Sequence, residues 1–263
     1  NNGLDTLDFT VDTAAVTLVV SGANMGTYVV DLNSGSLDPS QVDTITVTGI
    51  DLSVAGISTA TISVDLPSDG ERSNDTLAFN LETIAPLTLP YVENFDSFIT
   101  GTPGTFQNNW KNLLDDDQDW FANDGTTPSG DTGPNGDNTT GTGIYLYAES
   151  SSPIATGDIF NVLSPCIDLT GSTSPILTYA YHMYGADMGR LDVFVIANGV
   201  STHVDSVIGQ QQTDNADPYL NSLVDLSGFS GVIEVVFRAT RGSGFNSDIA
   251  FDDGAFQEAP GTD

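Results

Sequence analysis

Apolar and polar residues alternate with period two along most of the chain. The segments LDFTVD (7–12), AVTLVVSG (15–22), TYVVDL (27–32), DTITVTGI (43–50) and STATISVDL (58–66) are rich in Val, Ile, Thr and Tyr. Gly, Asn, Asp, Pro and Ser clusters bound them, which predicts short β-strands. The same pattern returns in IYLYAE (144–149), FNVLSP (160–165), PILTYAYHMYG (175–185), LDVFVIANG (191–199), GVIEVVFRATRG (231–242) and SDIAFDDGAF (247–256). Strands this short and this evenly spaced imply an all-β sandwich or barrel. No long amphipathic helix is predicted, and NNWKNLL (108–114) offers one helical turn at most.

ETIAPLTLPYVENF (82–95) carries Pro86 and Pro90, which interrupt strand pairing. It divides a unit of about immunoglobulin size, 1–86, from a larger unit, 91–258. Residues 87–90 are the expected linker and 259–263 a tail. Many strands and long connections in the larger unit suggest a jelly roll. Between Asn123 and Gly143 the chain reads NDGTTPSGDTGPNGDNTTGTG, a composition typical of disorder. A strand pattern follows at once, and a loop this long inside a compact domain is usually functional or tied down.

Charge narrows the function. Among 263 residues there are 36 Asp+Glu and 5 Lys+Arg, a formal net charge of −31. Such a polyanion repels nucleic-acid phosphates and anionic membranes. It favours solubility, salt tolerance and capture of divalent cations. Cys166 is the only cysteine, so no intrachain disulfide is possible. A secreted animal protein of this length usually carries several, which points to a bacterial exported protein. No apolar run is long enough to span a bilayer. The opening NNGLDTLDF is neither a signal peptide nor a start methionine, and suggests a piece of a longer protein.

Three places could hold a cation. LLDDDQDW (113–120) alternates Asp115, Asp117 and Asp119, as calcium loops do. An EF-hand starting at Asp115 needs Gly sixth and Glu twelfth, but Trp120 and Thr126 stand there. A non-EF calcium loop and a solvated turn leading to a core Trp120 both remain open. In SDIAFDD, alternation puts Ile249, Phe251 and Asp253 on one face and Asp248, Ala250 and Asp252 on the other. A carboxylate on an apolar face needs a partner, and cationic side chains are too few to supply one. YVENFD adds Glu93 and Asp96 on the first strand, which in a jelly roll often lies beside the last. Glu93, Asp96, Asp252 and Asp253 are therefore expected to converge on calcium. The competing reading makes them edge charges that block aggregation.

Catalysis finds little support. His182 and His203 are the only histidines, and no nucleophile elbow, zinc motif or phosphate loop is present. Tyr145, Tyr147, Tyr179, Tyr181 and Tyr184 line a sugar-binding face or, more commonly for alternating tyrosines, pack on neighbours.

QDWFANDGTTPSGDTGPNGDNTTGTGIYLYAESS, NVLSPCIDL, LTYAYHMYGADMGRLDVFV and SDIAFDD together resemble a MAM domain (the meprin, A5, receptor phosphatase mu module). The spaced matches cover Tyr91 to about Glu258. The resemblance implies a jelly-roll β-sandwich, an extracellular or cell-surface setting, an adhesive role and a structural calcium. It assigns Asp96 to the family's opening acid, Asp137 to the loop Asp, and Asp252 and Asp253 to the closing pair. Lacking a partner for Cys166, the chain departs from the bridged animal members. The LPYVENFD entry and the DxDxDW spacing also resemble the cleaved-adhesin domains of Bacteroidota proteases and haemagglutinins. NNGLDTL followed by residues 49–81 resembles immunoglobulin-like, adhesion-associated modules of Bacteroidota surface proteins, with an ND before the last strand. These resemblances imply a non-catalytic, calcium-stabilised module pair of a bacterial adhesin or filament. Its partners would be a surface glycan, a protein target or neighbouring copies of itself. Gliding motility and type IX secretion are the associated expectations. The alternative is a carbohydrate-binding accessory region of a secreted hydrolase or protease.

Overall fold

The computed structural model describes residues 5–101 and 106–261. The NNG opening therefore lies outside the described residues, as does the end of the 259–263 tail. The described residues are all-β, apart from a short 3-10 turn at Arg72–Asn74. The chain forms two compact units, Asn1–Ala85 and Pro86–Asp263.

The first unit holds β1 (Leu7–Asp8), β2 (Ala14–Gly22), β3 (Gly26–Leu32), β4 (Ser36–Leu37), β5 (Gly56–Asp65) and β6 (Thr76–Thr83). Strands β3-β2-β5-β6 make one antiparallel sheet, and β1 pairs with β4. Leu18, Val20 and Ala60 form its small core. DTITVTGI, expected as a strand, makes no ladder. Val47 and Ile50 from it, with Leu52 just beyond, instead pack on that core. Buried Asn24 holds this covering segment in place. Its amide donates to the Val54 carbonyl (2.8 Å), and its carbonyl accepts the Val54 N–H (2.9 Å).

The second unit contains β7 (Leu87–Thr88), β8 (Tyr91–Glu93), β9 (Lys111–Asn112), β10 (Phe121–Asp124), β11 (Ile144–Ala148), β12 (Ile159–Leu163), β13 (Ile167–Asp168), β14 (Pro175–His182), β15 (Arg190–Ala197), β16 (Val200–Ile208), β17 (Leu220–Asp225), β18 (Val232–Thr240) and β19 (Ile249–Glu258). One sheet runs β10-β11-β19-β14-β17 with β8 on β19. The other runs β16-β15-β18-β12-β9 with β13 and β7. This is the expected jelly-roll sandwich. Two local expectations change. Leu87–Thr88, within the supposed linker, pairs in parallel with Ile167–Asp168. The NNWKNLL turn gives way to β9, because Lys111 and Asn112 pair with Leu163 and Val162.

Side chains from both sheets meet in one core, including Leu146, Leu177, Phe251, Val193, Val235 and Phe237. The rings of Phe237 and Phe251 stack with centroids 4.3 Å apart. Trp120 is fully buried, meets Phe251 edge-on, and donates its indole N–H to the Phe160 carbonyl at 3.0 Å. The LLDDDQDW stretch thus ends in a core anchor.

Candidate functional site

Strands β8 and β19, the first and last of this sheet in chain order, lie antiparallel with Glu93 opposite Gly254. Alternation along β19 holds through Phe251 and then breaks. Asp253 has φ +50°, and the β14–β19 register shifts beside it. This bulge turns Asp253 off the core face and returns Phe256 to the core. The expectation that Asp253 shares a face with Phe251 is corrected accordingly. Asp252 is the buried member of the pair, 1% exposed.

The long acidic loop is built onto these strand ends. Asp252 accepts the Asn138 N–H (2.8 Å), and Asp253 accepts from the Asn138 side-chain amide and the Thr139 hydroxyl (2.7 Å each). Asp137 accepts the N–H groups of Thr139, Thr140 and Gly143. Asp96 accepts the Ile144 N–H at 3.0 Å, where the loop enters β11. Further back, the Asn215 amide donates to the carbonyls of Thr132 (2.8 Å) and Gly133 (2.7 Å). Composition predicts disorder for this stretch, but its own carboxylates and amides fold it.

Burial, the leading influence, pushes Asp252 up to about 8, with Asp253 and Asp137 adding to the rise against N–H bonds from Asn138 and Asp253. Burial also acts upward on Asp137, but donors from Thr140, Gly143 and Thr139 prevail and hold it below the ordinary carboxylate value. No cationic side chain pairs with any of these acids among the described residues; ion pairs there involve Arg72, Arg190 and His203.

Asp96, Asp137, Asp252 and Asp253 are thus drawn to one loop. Glu93 belongs to a different network. It is buried, and accepts from Phe95 N–H (3.0 Å), Tyr91 hydroxyl (3.0 Å) and Asn108 amide (2.8 Å). The second candidate set is brought together only in part. Asp117 accepts the Ile159 N–H at 3.0 Å and Asp116 accepts that of Asn161, so these acids tie the loop to β12. Asp119 lines a cavity with Asp116 and Asp117, whereas Asp115 does not. Among the described residues, no three His, Cys, Asp or Glu side chains form a ready-made metal set.

The fit to a hard cation rests on Gly143. A Cβ there would lie 2.2 Å from Asp96 Oδ1 and 2.9 Å from Asp137 Oδ2, so only a glycine lets both carboxylates close on this point of the loop. The Thr140 hydroxyl donates to Asp137 and lies 3.3 Å from that of Thr142. Oxygen donors of this kind suit calcium and not the softer metals.

Sequence reasoning missed two features. Asp248 is fully buried, accepts the Ser150 N–H at 2.9 Å through one oxygen, and leaves the other without a hydrogen bond. Burial first, then the Glu149 charge, pushes it up to about 7. The second is a cavity between residues 134–141 and 215–219, described below. Four of the five candidate tyrosines, Tyr145, Tyr147, Tyr179 and Tyr181, are buried as packing residues, and Tyr184 is half-buried. His182 is also fully buried, against Tyr219.

A two-sheet β-sandwich whose rigid frame carries a long, pinned polar loop is the architecture of a binding module. The chain belongs to the MAM family (MAM domain, meprin/A5/mu), which matches residues 100–260. It is 35% identical over 141 residues to mouse "MAM domain-containing protein 2", covering 54% of this chain and 20% of that protein. It is 31% identical over 144 residues to human "Zonadhesin", covering 54% of this chain and 5% of that protein. The chain therefore spans a small part of the curated relatives it matches. Among solved structures, the K2 cleaved adhesin domain of Lys-gingipain aligns at 20% identity with a TM-score of 0.46, over 65% of this chain and 99% of that one.

Proposed function

We propose that this chain is a non-catalytic adhesion or structural module pair of a bacterial surface or secreted protein. The MAM unit is the binding or structural head, and the N-terminal unit an immunoglobulin-like spacer. One observation carries the reading: a 21-residue loop of disorder-prone composition, 123–143, is fastened to the sandwich by Asp96, Asp137, Asp252 and Asp253. A rigid frame displaying a fixed polar loop recognises a partner without turnover. The family assignment supports an extracellular setting, and the single cysteine favours a bacterial over an animal source. Calcium, when bound, supplies charge neutralisation among carboxylates. Asp96 and Asp137 would hold it, with Asp252 and Asp253 keeping the loop against the strand ends.

Thermal unfolding of the whole chain, with calcium and with a chelator, tests this. A ligand of the folded state adds about 2.7 kcal/mol of stability at 100-fold excess over Kd, and so raises the midpoint. No rise at millimolar calcium would remove calcium from the reading.

The carbohydrate-binding alternative is favoured by one feature, the polar cavity beside the same loop.

A further inference from the structure

A cavity of about 230 Å³ opens between residues 134–141 and 215–219. Both walls are fixed from behind. The Asn135 N–H donates to the Asn215 carbonyl (3.1 Å), and the Tyr219 hydroxyl donates to the Gly136 carbonyl (3.0 Å). Gly136 is required here, because a Cβ would stand 2.4 Å from the Gly141 carbonyl oxygen. On the other wall, one oxygen of Asp217 accepts from Thr213 N–H (2.7 Å), Thr213 hydroxyl (2.9 Å) and Asp214 N–H (3.0 Å). Buried Gln212 braces the segment by accepting the Met183 N–H at 2.8 Å and donating to the Tyr181 carbonyl at 3.1 Å.

Behind this bracing, several polar atoms of the lining are unused. The Asn135 side-chain amide, Asn215 Oδ1 and Asp217 Oδ1 make no hydrogen bond among the described residues. They supply a donor–acceptor amide, a carbonyl and a carboxylate oxygen on a fixed frame, beside Pro218 and Tyr219. Paired donors and acceptors next to small apolar surfaces match a sugar ring, whose hydroxyls both donate and accept and whose C–H face is apolar. The volume lies below the range of about 300–1,000 Å³ for drug-sized ligands, which restricts the cavity to about one ring. Charge sets the kind of sugar. Asp137 and Asp217 line the cavity and no Lys or Arg does, so uronic and sialic acids are repelled.

We propose that the cavity between residues 134–141 and 215–219 binds one neutral monosaccharide unit, presented at the end of a glycan, through Asn135, Asn215 and Asp217. This rests on the adhesion reading above and names a ligand class for it. A single ring held by a few hydrogen bonds in an open, preorganised site binds with Kd of about 1 mM.

The test is a chemical-shift titration of the isotope-labelled, calcium-saturated full chain. The probes are glucose, galactose, mannose, N-acetylglucosamine and glucuronic acid. At least one neutral sugar should shift amides confined to 134–141 and 215–219, and glucuronic acid should not. Asn135→Ala and Ala216→Trp, the second filling the cavity from an exposed lining position, should each raise the apparent Kd at least tenfold. Both variants should keep the wild-type melting midpoint and its response to calcium, which separates lost binding from lost folding. No shift with any neutral sugar at about 50 mM, tens of times the expected Kd, overturns the proposal. Shifts elsewhere, or shifts that survive both variants, overturn it too. If sugar binding fails while calcium still stabilises the chain, the cavity inference falls alone. If calcium has no effect but the sugar binds, the calcium part of the reading falls and the cavity stands.

Discussion

Asp248→Asn should stabilise the protein at alkaline pH and leave it nearly unchanged in acid. The carboxyl is fully buried, with one oxygen unpaired, and burial lifts it from 3.8 to about 7. The folded state therefore binds a proton that the unfolded state has released. Between these two values the native state holds more protons, so stability falls as pH rises, and it levels off above the folded-state value. A rise of about three pKa units corresponds to about 4 kcal/mol lost across that window, about 2 of it between pH 5 and 7. Because the group is fully buried, solvent does not screen this cost. Asparagine keeps an oxygen for the Ser150 N–H and carries no charge, so it escapes the penalty. Urea unfolding of wild type and variant, in saturating calcium at pH 5 and pH 8, isolates the effect, since other acids titrate alike in both. The variant should gain about 3 kcal/mol relative to wild type between pH 5 and pH 8. A variant equally destabilised at both pH values, or one whose difference from wild type ignores pH, would refute the reasoning.

Three further outcomes follow from the packing. Trp120→Ala removes a fully buried indole and its bond to Phe160, and should cost about 3–5 kcal/mol in the urea unfolding of the second unit. Gly143→Ala drives a methyl between Asp96 and Asp137, so it should lower stability by about 1–3 kcal/mol and abolish any calcium-dependent rise in Tm. A wild-type calcium response in that variant would place the ion elsewhere. Asn24→Ala strands the Val54 N–H and carbonyl groups, and should cost the first unit about 1–3 kcal/mol, read as earlier denaturant unfolding of that unit alone.

How far the sequence could be read depends on the range of the interaction. Period-two alternation reflects a local geometry, so β2, β3, β5, β14, β15, β18 and most of β19 were legible from it. Alternation does not say whether a partner strand is available, which is why 43–50 looked like a strand and instead covers the small core with Val47 and Ile50. Nor does it register an inserted residue: the positive φ at Asp253 reverses the faces beyond Phe251, and no spacing announces it. Asp137, Asp252 and Asp253 could be grouped because a family pattern links them across 116 positions. Glu93 was grouped with them by its place on the first strand. Of the partners that claim it, Tyr91 and Phe95 stand two residues away, where spacing does not announce a hydrogen bond, and Asn108 comes from fifteen residues on. The cavity was invisible for the same reason, since its walls come from segments about eighty residues apart.

The distribution of donors explains how so acidic a chain folds at all. With five cationic side chains for 36 acids, ion pairs cannot be the general answer. In the second unit the carboxylates turn instead to backbone N–H groups: Asp137 to Thr139, Thr140 and Gly143, Asp217 to Thr213 and Asp214, and Glu258 to Thr173 and Ser174. Bonds from N–H groups to an ionised acceptor are the stronger kind. They also escape the ionic screening that weakens exposed pairs such as Arg72–Asp65. Asp137 and Asp217 close turns within their own loops, and Glu258 reaches across to Thr173 and Ser174; Thr, Ser and Gly, residue types that made 123–143 look disordered, supply most of these donors. The same residues that lower the hydrophobic content of the loop therefore supply its hydrogen bonds. A loop held in this way keeps its shape without a hydrophobic core of its own, and leaves its outer polar atoms free to meet a partner.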